Sequence, residues 1–147
     1  MFRPGRRLFS IACILLILVA LAHTAGHFSP PPAGDPAFDA MDRAMKGYVI
    51  PMGSMSPSFF DLVQSLSLTM TVTLLLLGAL GLATAGAADA GDAGDALIRR
   101  LALVYLVGTA ALVAVFALYR IPPPLLTLAA VAVTFLLAVV VPTRRRS

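Results

Sequence analysis

The sequence predicts an all-α membrane protein, a four-helix antiparallel transmembrane bundle with an external amphipathic helix. The 147 residues are 59% hydrophobic, above the share of about 45 to 50% that is usual for soluble domains, and the mean hydropathy is +0.93. Four apolar runs each approach or exceed the roughly 20 helical residues that cross a bilayer core. Arginines cluster near both ends of the chain. These three observations make the lipid bilayer the predicted partner.

The apolar runs divide the chain into spans and loops of one membrane domain, residues 1–147. The four predicted spans are about 8–28, 59–85, 97–119 and 125–141. Between them we expect an outer loop at 29–57 and an inner loop at 86–96.

The distribution of charge predicts the orientation of the chain. Six of the eleven cations lie in the two tails: Arg3, Arg6, Arg7, Arg144, Arg145 and Arg146. Because arginine-rich flanks stay cytoplasmic, we expect a multi-pass protein of the cell membrane with both termini cytoplasmic, which requires an even number of spans. The same placement explains the net charge of +4, so no nucleic-acid partner is predicted.

The first run has a second interpretation as a secretory signal peptide. It has a basic start, an apolar stretch and the small-residue pattern Ala20-Leu21-Ala22, which has the form of a cleavage site. We favour an intact span because the run continues to Phe28 and is long enough to cross the bilayer. In the alternative, His23 becomes the amino terminus and the other three spans keep their orientation.

The outer loop contains the predicted amphipathic helix. Asp35-Pro36 has the cap-then-proline pattern of a helix start, and the helix is expected to run to about Lys46. Apolar residues recur on one side of it at helical spacing: Phe38, Met41 and Met45. The spacing favours a helix on the outer membrane surface, with a solvated loop as the alternative.

Small and polar residues indicate where the spans begin and pack. Ser56-Pro57 repeats the cap-then-proline pattern before the second span, and Gly78 and Gly81 allow another backbone to come close. Asp95 is expected to cap the third span after a flexible linker. The fourth span carries a stripe of small residues, typical of packing between membrane helices, and it predicts a homo-oligomer or a membrane protein partner: Thr127, Ala130, Thr134 and Ala138.

Four polar residues form the candidate site. His23 and His27 are four apart, on one helix face. If the first two spans end at one boundary, a rise of about 1.5 Å per residue brings Asp61 and Gln64 to the same level. We interpret all four as candidate catalytic or proton-handling groups, and His23, His27 and Asp61 as candidate ligands of a divalent metal. The alternative is an interfacial cluster satisfied by water and headgroups.

Other cofactors and activities find little support in the sequence. An i,i+4 histidine pair projects from one side of a helix, whereas bis-histidine haem ligation needs opposite sides of the ring. No phosphate-binding loop or serine-nucleophile elbow is present in the sequence. Apart from the divalent metal, no cofactor is predicted.

Two short segments carry a family resemblance. Ala22-His23-Thr24-Ala25-Gly26-His27-Phe28 closes the first span, and Phe59-Phe60-Asp61 opens the second. In these segments the chain resembles small four-span bacterial integral membrane proteins of uncharacterised function with a His-x-x-Gly-His ending to the first span. The resemblance implies the four-span layout and no activity.

Two function classes follow from these patterns. The first is a non-enzymatic accessory, scaffold or lipid-interacting membrane component. The alternative is a membrane-embedded enzyme or a proton- or metal-handling protein that uses the His-His-Asp cluster near the outer face. The sequence does not decide whether the chain is an enzyme.

Overall fold

The computed structural model describes residues 4–30, 34–89 and 91–141. In those ranges the chain forms helices and no extended strand. The five helices in chain order are α1 Pro4–His27, α2 Pro36–Gly47, α3 Phe59–Ala87, α4 Asp92–Leu118 and α5 Pro122–Val140. All of them except α2 are long and apolar enough to cross a membrane, which confirms the predicted class of multi-pass membrane protein. Arg3 and the arginines at 144–146, on which the orientation partly rests, lie outside the described residues.

The connection between α3 and α4 is shorter than the predicted inner loop. Gly91 is the N-cap of α4 and Asp95 lies in its first turn, so the prediction that Asp95 caps this helix is wrong. Carboxylates in a first helical turn face the positive end of the helix dipole, which explains how the acidic segment continues the helix. At Gly94 a Cβ atom would meet the backbone oxygen of Asp89, so this tight connection requires glycine.

The start of α3 is capped by Ser58. Its backbone N–H and hydroxyl donate to the Asp61 carboxylate at 2.9 and 2.7 Å, and the N–H of Asp61 donates to Ser58 Oγ at 3.1 Å. These reciprocal bonds form a capping box with aspartate in the usual place of glutamate. The cap therefore falls two residues after the predicted Ser56.

A small hairpin, residues 49–58, joins α2 to α3. Isolated antiparallel bridges pair Val49 with Ser58 and Met52 with Met55, and Gly53 occupies the turn with a φ of 63°. The N–H of Phe59 donates to the carbonyl of Tyr48 at 2.8 Å. This bond and the Val49–Ser58 bridge hold both ends of the hairpin next to the start of α3.

The chain folds into two compact units. The smaller unit is Leu21–Thr73, and the larger combines Met1–Ala20 with Leu74–Ser147.

The larger unit has an aromatic core. Phe9 of α1 and Phe135 of α5 are fully buried, and their rings lie 5.7 and 5.1 Å from the ring of Tyr105 on α4. The Tyr105 hydroxyl also donates to the Leu77 carbonyl of α3 at 2.8 Å. One side chain thus connects α4 to three other helices of this unit.

Two glycines let α3 approach α1 within the larger unit. A Cβ atom at Gly78 would lie 2.9 Å from the carbonyl oxygen of Cys13 and 2.6 Å from Cγ1 of Ile17. A Cβ atom at Gly81 would meet the sulfur of Cys13. The predicted close approach of another backbone is confirmed at Gly78, whereas the atoms nearest to Gly81 belong to side chains.

Arg6 binds the end of α3. Its guanidinium donates to the carbonyls of Ala85 and Ala88, the latter at 2.8 Å. The last carbonyls of a helix have no partner within the helix, so an arginine there satisfies them and complements the helix dipole.

The face of α5 that packs within the chain is offset from the predicted stripe of small residues. Its buried residues are Leu128, Val131, Phe135 and Ala138. Ala130 is exposed and Thr134 is half-buried, and the Thr134 hydroxyl donates to the Ala130 carbonyl of its own helix at 2.8 Å. Of the stripe, only Ala138 belongs to the core.

Candidate functional site

The last two turns of α1 place both imidazoles against one hydroxyl of α3. His23 Nε2 lies 3.0 Å from Ser67 Oγ, and His27 Nδ1 lies 2.9 Å from the same atom. All three residues belong to the smaller unit and are half-buried. The i,i+4 spacing therefore does direct the two histidines to one point.

The donor and acceptor capacity of a hydroxyl limits how these two hydrogen bonds can be arranged. A serine has one O–H donor and two acceptor lone pairs, and a neutral imidazole has one N–H donor and one acceptor nitrogen. Ser67 can therefore donate to one imidazole and accept from the other, or accept from both, according to the tautomers of the two rings. In the first arrangement the three groups form a continuous donor-to-acceptor chain.

A second polar contact between α1 and α3 lies next to the first. The Thr24 hydroxyl donates to Thr71 Oγ1 at 3.4 Å, and Thr71 is 6% exposed. Thr71 follows Ser67 by one helical turn. Polar side chains thus line the same α1–α3 contact over two turns, and hydrogen bonds of this kind hold membrane helices together.

The outer edge of the cluster is aromatic. The ring of Phe28 stands edge-on to the ring of His27 with centroids 4.8 Å apart, and Phe28 itself is 69% exposed.

The other two predicted site residues lie earlier on α3. Asp61 is in the capping box with Ser58, six residues before Ser67. Gln64 is half-buried and precedes Ser67 by one turn. The structure therefore brings the two histidines together at Ser67 and directs the Asp61 carboxylate to its own helix start. The catalytic roles of Asp61 and Gln64 stay predictions.

The sequence predicts the histidines at the level of Asp61, and the structure places them at the level of Ser67. This difference has a simple geometric origin. From the sequence, α1 and α3 are expected to reach one boundary with their outer ends. In the structure His27, the last residue of α1, meets a residue eight positions into α3, about 12 Å along the helix axis. The sequence does not distinguish Ser67 as a site residue, because the hydroxyl of a serine within a helix commonly bonds its own preceding turn. Its only sequence signal is its place among the hydroxylic residues of this span.

A metal site requires several ligand side chains close to one point. In the parts of the chain that the structure describes, no group of three or more His, Cys, Asp or Glu side chains lies close enough together to hold a metal ion. The set of His23, His27 and Asp61 therefore stays a prediction.

The comparisons with known proteins assign no family to the chain, so its class rests on its own structure. No protein-family model, curated protein or solved structure matches it. The four apolar helices define a multi-pass membrane protein. The likeness of its two motifs to small four-span bacterial proteins stays a prediction.

Proposed function

We propose that the chain is a small multi-spanning component of the cell membrane, an accessory or scaffold subunit or a lipid-interacting protein without an enzymatic step. The observation that carries this proposal is the amount of apolar helix surface left uncovered within the chain. Large side chains on each span are more than half exposed: Leu18 at 53%, Leu76 at 65%, Val104 at 66% and Leu126 at 70%. In a bilayer, lipid chains or other membrane helices cover such faces.

The proposed layout is a four-helix antiparallel bundle with both termini cytoplasmic. Two contacts within the larger unit support it. Arg6, near the start of α1, binds the last carbonyls of α3. A Cβ atom at Gly5 would lie 3.2 Å from the Ala138 carbonyl near the end of α5. The beginning of the first span thus meets the ends of the second and fourth, as expected if the two tails leave the membrane on one side.

The proposed place of α2 is outside the bundle, on the outer membrane surface. Asp35 caps the helix through bonds from the N–H groups of Ala37 and Phe38 at 2.9 and 3.3 Å. None of its residues is buried. Lys46 in its last turn lies 4.9 Å from the ring centre of Phe60, in the first turn of α3. This cation–π contact supports a position of α2 beside the outer end of the second span.

Self-association or a membrane protein partner is proposed to use the small side chains of α5. Ala130 and Thr134 are not part of the internal core, so their face is available to a neighbouring helix, and small residues let helices approach closely. We expect crosslinked oligomers or partner adducts in native membranes, lost in Ala130→Leu and Thr134→Leu because the larger side chain separates the backbones.

The control is Val104→Leu on α4, which enlarges a side chain that is already 66% exposed and lies away from the proposed face of α5. This variant should retain the crosslinks. A protein that is strictly monomeric and without partners in native membranes would overturn the scaffold proposal.

A second candidate function is favoured by the convergence of the two imidazoles on Ser67. It is a membrane-embedded enzyme or a proton- or metal-handling protein, with His23 and His27 as bases or ligands, Asp61 as acid or ligand, and Gln64 as an orienting donor. Ionisable groups within spans usually face a functional interior.

Elemental analysis of detergent-purified protein tests the metal version. This version predicts that a transition metal copurifies with the wild-type chain and is lost when His23 and His27 are changed to alanine, because both would supply ring nitrogens to the site. Absence of metal from both proteins, after purification without chelators, contradicts this version.

A further inference from the structure

We propose that the Ser67 hydroxyl is the central group of a proton relay between His27 and His23. The inference rests on the second candidate function, the handling of protons, and identifies the residue and the path involved. The sequence spacing predicted a carboxylate, Asp61, beside the histidines. The structure places the Ser67 hydroxyl within hydrogen-bond distance of both histidines.

The first argument is geometric. Ser67 Oγ lies 2.9 Å from His27 Nδ1 and 3.0 Å from His23 Nε2, both within the normal range of hydrogen bonds. A hydroxyl that donates to one nitrogen and accepts from the other is the minimum chain for moving a proton between two bases that do not touch. Two other hydroxyls near Ser67 on α3 are arranged differently, as Ser65 and Thr69 donate to backbone carbonyls of their own helix at 2.9 and 2.7 Å.

The transfer balances in atoms and charge. It begins with a cationic His27, whose Nδ1–H donates to Ser67 Oγ while the Ser67 O–H donates to the free Nε2 lone pair of His23. The Nδ1–H bond of His27 and the O–H bond of Ser67 break. A new O–H bond forms on Ser67 and a new Nε2–H bond forms on His23. His27 is left neutral, Ser67 is again a hydroxyl, and the positive charge is on His23.

The chemistry suits the groups. An imidazole ring has two nitrogens, each of which can bind or release a proton, so it can serve at either end of a relay. His23 precedes His27 by four residues, and each transfer displaces the charge about 6 Å along the helix axis. The nearest acid along α3, Asp61, accepts two hydrogen bonds from Ser58. The relay needs no carboxylate.

Nitrogen NMR of the full chain in lipid nanodiscs tests the relay directly. With ¹⁵N-labelled histidine and spectra recorded across a pH titration, we expect exchange between the protonated signals of His23 and His27. Ser67→Ala should slow this exchange at least about tenfold, because the bridging acid–base group is lost. Ser67→Thr, which keeps a hydroxyl, should retain it.

The control is Ser65→Ala, which removes a hydroxyl of α3 that donates to the Leu62 carbonyl of its own helix and should leave the exchange unchanged. A circular dichroism spectrum equal to that of the wild type establishes that each variant is folded. Exchange in Ser67→Ala as fast as in the wild type would overturn the relay, as would a wild-type chain whose two histidines do not exchange.

A second measurement separates the relay from the function. Proteoliposomes with an internal pH-sensitive dye report proton entry under a potassium diffusion potential. Entry that is lost in Ser67→Ala and kept in Ser65→Ala supports both the relay and proton handling across the membrane. Wild-type exchange by NMR without proton entry retains the relay and overturns transmembrane proton handling.

Discussion

At the scale of single residues, the hydroxyl groups of the spans have two kinds of partner. Thr84 and Thr109 each donate to a carbonyl one turn earlier on the same helix at 2.8 Å, which satisfies the hydroxyl without involving a neighbour. Tyr105 and Ser67 instead bond groups on other helices. The second kind positions helices against one another or forms a site.

Local residue chemistry could be predicted where the partner is close in sequence. The cap at Asp35 follows from the Asp-Pro pair and is confirmed by bonds to the second and third residues after it. Ser67 could not be predicted, because its contact with His27 depends on how far α3 extends past the end of α1. The spacing of residues within either helix does not indicate that offset.

Arg120 offers a test of backbone strain. It connects α4 to α5 with a φ of 54°, and its N–H and that of Ile121 bond the carbonyls of Ala117 and Phe116 at 3.1 and 3.0 Å. This is a Schellman ending, in which glycine is the usual residue at the left-handed position. We expect Arg120→Gly to raise the free energy of unfolding by about 1 kcal/mol, measured by denaturant titration in detergent.

The control for this substitution is Arg120→Ala, which removes the same charged side chain but keeps a Cβ atom in the left-handed conformation. It should not stabilise the protein. Equal stability of the glycine and alanine variants would show that the strain at this turn is negligible.

At the scale of helices, the contact of α1 with α3 in the larger unit depends on glycines, which have no side chain. Hydropathy predicts both helices, and Gly78 and Gly81 indicate which face approaches a neighbour. The identity of that neighbour, the segment around Cys13, required the structure. Helix registers of this kind are set by packing and leave no fixed signal in a single sequence.

We expect Gly78→Ala to destabilise the fold by about 1 to 3 kcal/mol, the usual cost of overpacking a tight contact. The reason is that the new Cβ atom would lie 2.9 Å from the carbonyl oxygen of Cys13, and a backbone atom cannot move aside as a flexible side chain can. Denaturant unfolding in detergent measures the change.

Gly108 in α4 provides the matched control, because a Cβ atom there meets nothing within 4 Å. Gly108→Ala should be neutral or stabilising by up to about 1 kcal/mol through helix propensity. If both alanine variants are stabilised equally, the close approach of α3 to α1 is not a constraint.

The hairpin between α2 and α3 has little signal in the sequence. Residues 49–58 have no sustained alternation of polar and apolar side chains, and only two bridges pair them. Its one local signal is Gly53-Ser54 between Met52 and Met55, a turn pair that fits the positive φ at Gly53. The outer loop is therefore more structured than its composition indicates.

At the scale of the whole molecule, the proposed function depends on layout. Composition predicts a membrane protein, and four apolar helices agree with it. The proposed orientation is inferred from arginines near the two ends and is supported by the contact of Arg6 with the end of α3. This layout also sets the outer face, toward which His27 and the end of α1 are proposed to lie.

Locating the two termini tests this layout most directly. With reporters of cytoplasmic and external location fused to the amino and carboxyl ends in separate copies of the full chain, we predict a cytoplasmic signal from both. Reporters found on opposite sides of the membrane would contradict the four-span arrangement and the placement of the histidine pair near the outer face.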